Sequence, residues 1–170
     1  MGIVDDRDYR PLAHPDDPDD YRPDSELALV IDPADEARDF VEEMSVFCER
    51  IAAGDRIPLH QHSLDEVLFV DAGRLEATVG DEVRTIGPGT TVFVPARTPH
   101  GFRNVGDGAA EVHAVFPGRE VDIRYLERNP APGTEGDPPG PPVAFDVREL
   151  IEGDPDRAVR PVDAERFVTP

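Results

Sequence analysis

A chain of 170 residues lies within the usual single-domain range, and its 38% apolar and 32% charged side chains contain no run approaching the ~18 consecutive apolar residues of a spanning helix, which excludes a helical membrane protein. Thirty-seven acidic residues face 17 basic ones, for a net charge of −20, and a surface of that sign is a poor match for nucleic acid. Every basic residue is arginine, a pattern shared by proteins adapted to high salt and by those encoded in GC-rich genomes.

The start, Met1-Gly2-Ile3-Val4-Asp5-Asp6, lacks the basic and apolar stretches of a secretory signal, so a cytoplasmic location is expected. Residues 5–26 carry nine acidic side chains and four prolines, too little apolar surface to offset their ordering entropy, and 1–26 is read as an extended acidic arm. From 27 to 126 short alternating runs are separated by glycines: Met44 to Ile51, Ile57 to His62, Glu66 to Val70, Arg74 to Val79, Thr90 to Val94, Glu111 to Phe116 and Val121 to Tyr125. This spacing predicts an all-β sandwich or barrel, with turns at Asp71-Ala72-Gly73, Val79-Gly80-Asp81 and Gly87-Pro88-Gly89. Cys48, the single cysteine, excludes an intrachain disulfide and reads as a half-buried strand thiol. Beyond Glu127 proline and glycine dominate, so 127–170 is expected to be an irregular strap. It should carry one short helix from Phe145 to Glu152, capped by Asp146 and ended by Gly153.

Four side chains carry the chemistry. His60 and His62 are two apart in an alternating run, so both imidazoles share one strand face, about 7 Å apart along it. Glu66 has the same parity and follows the turn-like Ser63-Leu64-Asp65, which lets its carboxylate fold back toward the rings. His100, after Val92-Phe93-Val94-Pro95, must come from another strand of the same barrel. His113 has the opposite parity to its apolar neighbours and is expected outside the group, and His14 belongs to the arm.

Residues 54–73, with Gly54, five residues, His60-Gln61-His62, three residues, Glu66, six residues and Gly73, resemble the first motif of the cupin family. Residues 89–104 resemble its second motif, with Gly89, five residues, Pro95, then His100 and Asn104. Arg97 stands where the family usually has glycine, so the turn there is expected to be reshaped, with Arg97 reaching the pocket mouth. The resemblance implies a jelly-roll barrel, a double-stranded β-helix, binding one divalent transition ion through His60, His62, Glu66 and His100. Phe102 and Asn104 share the parity of His100 and join Arg97 as pocket candidates, Phe102 as lining and Asn104 as a loop-fixing residue.

Imidazole and carboxylate donors suit Fe(II), Mn(II) or Ni(II), with Zn(II) or Co(II) as alternatives. An octahedral ion with four protein ligands keeps two positions for substrate and O₂ or water, and Glu66 would serve as ligand and catalytic base in turn. The leading expectation is a dioxygenase acting on a small chelating molecule. A metal-assisted isomerase or lyase on a sugar or keto acid and a non-catalytic ligand binder are the alternatives. The expected partners are a small-molecule ligand and a second copy of the chain in a homodimer, with exchanged edge strands to which residues 27–50 contribute.

Overall fold

The β-branched and aromatic residues that alternate through the middle of the chain pair into strands, each burying one face. The computed structural model describes residues 7–13, 19–29, 43–146 and 158–168. They form β1 (Arg10–Leu12), β2 (Arg22–Leu29), β3 (Ser45–Ile51), β4 (Arg56–Gln61), β5 (Glu66–Ala72), β6 (Leu75–Val79), β7 (Glu82–Ile86), β8 (Thr91–Val94), β9 (His100–Asn104), β10 (Ala110–Phe116), β11 (Glu120–Tyr125), β12 (Val143–Asp146), β13 (Val159–Pro161) and one 3₁₀ turn, Ala164–Phe167. Two antiparallel sheets result, ordered β1-β2-β3-β10-β5-β8 and β13-β12-β11-β4-β9-β6-β7. Neighbours in each sheet are mostly distant in sequence, the pairing of a jelly roll. Ile51, Leu68, Val70, Leu75, Phe102 and Val112 belong to the apolar core.

The chain can pass from β5 to β6 only through a residue without a side chain. A Cβ on Gly73, where φ is +83°, would lie 2.5 Å from the Ala110 Cα. Asn104 fixes the next corner, its Nδ2 donating to Ile51 O and Gly108 O, both at 2.8 Å, while Oδ1 accepts from Gly106 N at 2.9 Å.

Two expectations about the periphery change, and one strand there was not expected at all. The acidic arm was expected to end at residue 26, but β2 runs across that boundary and pairs with β3, Glu26 opposite Arg50 and Leu29 opposite Phe47. Polar contacts add to the apolar packing of Ala28 and Leu29 in docking this segment: Ser25 Oγ donates to Asp55 Oδ2 at 2.7 Å and accepts from Ala52 N at 3.0 Å. β7 carries Glu82 and Arg84 on an exposed strand, so apolar alternation gave no sign of it; it forms by hairpin pairing with β6.

The helix expected from Phe145 does not start there. Phe145 and Asp146 belong to β12, where Phe145 pairs with both Val121 and Val159, and Asp146 meets Arg119 at 3.1 Å. The rest of that expected helix, 147–152, lies outside the described residues, as does His14. The proline-rich strap is irregular between β11 and β12. Arg128 holds it by donating to Thr134 O at 2.6 Å and Asp137 O at 2.9 Å, and by pairing with Asp19. None of the helices among the described residues is long and apolar enough to cross a membrane.

Candidate metal centre

β4 brings His60 opposite His100 of the neighbouring β9 and opposite Tyr125 of β11. His62 follows directly after β4, and Glu66 opens β5 in the facing sheet. The ligand atoms of His60, His62, Glu66 and His100 all lie within 4.8 Å of one another, and all four residues are buried. The grouping expected from strand parity is therefore present, with three imidazoles from one sheet and the carboxylate from the other.

Main-chain carbonyls orient each ring. His60 Nδ1 lies 2.7 Å from Pro58 O and His100 Nδ1 2.9 Å from Thr98 O, while His62 Nδ1 reaches Asp122 O. A carbonyl only accepts, so each Nδ1 carries the proton and each Nε2 is left as a bare lone pair. The His60 and His62 Nε2 atoms then stand 3.0 Å apart as two acceptors. His100 Nε2, 2.8 Å from Glu66 Oε2, is a second such pair, and both of those atoms are buried without a hydrogen-bond donor. Four acceptors packed together repel unless a cation sits among them. The residues fit a transition ion, and the second-layer carbonyls are what make the fit.

Electrostatics point the same way. Burial, then the His100 and His62 rings, hold His60 well below the ordinary imidazole pKa, and burial also depresses His62 despite the opposing pull of Glu66. Burial pushes the Glu66 carboxyl up, but His100 and His62 outweigh it and keep it below the usual carboxylate range. Neutral imidazoles and an ionised carboxylate are the forms that bind a metal.

The centre opens onto a cavity of about 420 Å³ whose wall includes Phe47, Phe102, Phe116, Ile123, Tyr125 and Phe145. Phe102 lines it as expected. Arg97 and Asn104, the other two pocket candidates, do not. Asn104 spends its amide on main-chain groups, as described above. Arg97 keeps the turn that glycine would make, with φ at +68°, and sends its Nε to Arg166 O at 2.7 Å. Its main chain still serves the centre: Arg97 N donates to His62 O at 2.7 Å, and Arg97 O accepts from Gln61 Nε2 at 2.6 Å.

His113 lies away from the centre, stacked on Phe69 at 4.6 Å and bonded to Asp71 at 2.8 Å. Cys48 is buried, and burial raises its thiol pKa, the signature of an inert cysteine. Sequence reasoning passed over Asp122, whose carboxylate accepts from Ser63 N at 2.7 Å and from Ser63 Oγ, bracing the loop between His62 and Glu66. It also passed over Glu49 and Arg22 on the cavity wall, although Glu49 shares the parity of Phe47 and Ile51.

Two facing antiparallel sheets with three histidines and a glutamate between them define a metal-site β-barrel of the cupin class. Residues 47–116 match the family model described as the cupin domain, which supports membership of the cupin superfamily. Among solved structures it is similar to the polyketide cyclase RemF from Streptomyces resistomycificus, at 17% identity and a TM-score of 0.61, covering 88% of this chain and 92% of that one. KdgF from a Halomonas species matches at 19% identity and a TM-score of 0.52 over 66% and 87%. Among curated relatives, an uncharacterised protein of Streptomyces coelicolor is 38% identical over 38% of this chain, and the dimethylsulfoniopropionate lyase DddQ of Ruegeria pomeroyi is 35% identical over 36%. Those matches span only 61% and 31% of the relatives' own lengths.

Proposed function

We propose that the chain is a metal-dependent enzyme, a dioxygenase acting on a small and largely apolar molecule whose paired oxygens chelate the ion. The observation that carries this reading is the apolar, aromatic-lined cavity opening directly onto the buried donor set. Phosphorylated sugars would find little to hold them there, because Arg10 and Arg22 are the cavity's two cations among the described residues and Arg22 is already paired with Asp20 at 2.6 Å. His60, His62, Glu66 and His100 would hold the ion, and Fe(II), Mn(II) or Ni(II) bound by these four would still have room for substrate; Co(II) or Zn(II) also suits the donors. When bound, the ion supplies Lewis acidity and, for iron or manganese, redox capacity. The chain's own part is to exclude water with its aromatic wall and to present neutral, pre-oriented imidazoles. Glu66 is proposed as ligand and base in turn.

A second reading, a redox-neutral lyase or cyclase, is favoured by an acid–base group elsewhere on the cavity wall, Glu49. Metal analysis of protein purified without chelators, followed by O₂-electrode screening of aromatic and enolic chelating compounds, separates the readings. Substrate-dependent O₂ uptake abolished by chelator supports the dioxygenase. Turnover without O₂ uptake supports the second reading, and binding without turnover supports a ligand-binding cupin. Glu66→Gln is expected to lower metal content and turnover together; unchanged values for both would remove Glu66 from the site.

A further inference from the structure

β3 presents Ser45, Phe47, Glu49 and Ile51 on one side and Cys48 on the other, and Phe47 and Glu49 line the same cavity as His60, His62 and Glu66. The residues directly across from Glu49 on the flanking strands are Leu27 and Val112, so a carboxyl interrupts an apolar row. Burying an ionised carboxyl in such a row is costly unless it is paired, so the residue needs either a structural partner or a use.

A partner exists, but it is not dedicated to Glu49. Arg22 Nη1 reaches Glu49 Oε2 at 3.0 Å, while its Nε and Nη2 grip Asp20 bidentately at 2.7 and 2.6 Å. Two carboxylates therefore share one guanidinium. Asp20 alone neutralises Arg22, so Glu49 can take up or release a proton without stranding a buried cation. Burial raises the Glu49 carboxyl, Arg22 opposes that, and Asp20 and Glu66 add to it, for a net upward shift, the direction that favours proton exchange over permanent ionisation. Glu66, facing His100 Nε2, belongs to the donor set, so any proton it moves is tied to the ion, and Asp20 is held by Arg22, whereas Glu49 on the same wall can move a proton independently of the ion.

We propose that Glu49, positioned by Arg22 and Asp20, is the proton-transfer residue for an α-hydroxycarbonyl or 1,3-dicarbonyl substrate chelated at His60, His62, Glu66 and His100. The inference rests on the chelating-substrate reading above and names its substrate class. In the step it performs, a substrate C–H bond beside the chelating carbonyl breaks and the proton passes to a Glu49 oxygen. The electron pair stays on the substrate, spread over its two oxygens as an enediolate or enolate. Return of the proton to the same or the adjacent carbon regenerates Glu49, with no oxidant consumed.

The test uses the full chain loaded with Co(II), under argon in D₂O, with 2-hydroxyacetophenone as the probe. Visible absorption of the Co(II) reports chelation, and proton NMR reports loss of the probe's methylene signal to deuterium. The wild type is expected to chelate the probe and exchange it. Its pH profile should show one ionisation shaped by Asp20, Arg22, Arg10, Glu66, His60, His62 and Tyr125, the charged and titratable groups that share the cavity.

Glu49→Gln is expected to keep its metal stoichiometry and its absorption change while exchange falls at least ~100-fold and that ionisation disappears. Exchange unchanged in Glu49→Gln overturns the proposal. Chelation without exchange in the wild type overturns the proposal but leaves the chelating-substrate reading standing; no absorption change at all removes both. Should Glu49→Gln fail to fold, Glu49→Asp decides. A tenfold or greater loss of exchange at unchanged chelation supports the proposal, and full exchange overturns it.

Discussion

His60 and His62 are held neutral inside the fold, whereas the same side chains in the unfolded chain take up protons near pH 6.5. Below that value the unfolded state binds more protons than the native one, so stability must fall as pH drops. For metal-free protein the loss is expected to begin near pH 6.5 and to grow as the pH falls further, with His60 and His62 both contributing. Urea midpoints measured with chelator present between pH 7.5 and 5.5 check it; a flat profile would mean that the rings are protonated in the native state. These ligands were legible because their relation is local: strand periodicity places His60 and His62 on one face, the short break at 63–65 brings Glu66 back toward them from the facing sheet, and the motif supplies His100. Asp122 and Glu49 were not legible in the same way. Their roles depend on Ser63, Arg22 and Asp20, partners whose proximity exists only after the sheets have assembled.

At the scale of elements, the turn between β8 and β9 shows how a motif survives the loss of its glycine. Arg97 accepts a left-handed backbone, and its Nε bond to Arg166 O, together with the main-chain bonds to His62 and Gln61, holds it there. Arg97→Gly is expected to change stability by no more than about 1 kcal/mol, since relief of backbone strain offsets the lost bond and the freer unfolded chain. Arg97→Val, with a β-branched side chain at positive φ, should cost about 2 kcal/mol and weaken metal binding, because the turn carries Thr98 O, the partner of His100. Thermal denaturation and metal titration of the two variants check both statements. The central strands were readable from apolar alternation. β2, β7 and β12 were not, because β2 docks partly through buried polar groups, β7 is exposed, and β12 is short and follows a proline-rich stretch that masks it.

For the whole molecule, a ligand that binds only the native state stabilises it by about 2.7 kcal/mol at one hundred times its dissociation constant. For a chain of this size that corresponds to a rise in Tm of roughly 5–10 °C on adding Fe(II), Mn(II), Ni(II) or Co(II), reversed by chelator. Differential scanning measurements across the four ions would rank them as well. A homodimer remains the proposed assembly, and a monodisperse monomer in sizing experiments would remove it.

The cavity is built from two sources. All four donors lie within the matched cupin segment, residues 47–116, but Leu12, Asp20, Arg22, Tyr125, Phe145 and Val159 reach the same cavity from the segments before and after it. Two lineages could therefore inherit the same ion chemistry and diverge in what they accept simply by exchanging their ends. A chimaera that keeps 47–116 and borrows both termini would be predicted to retain its metal and change its diet.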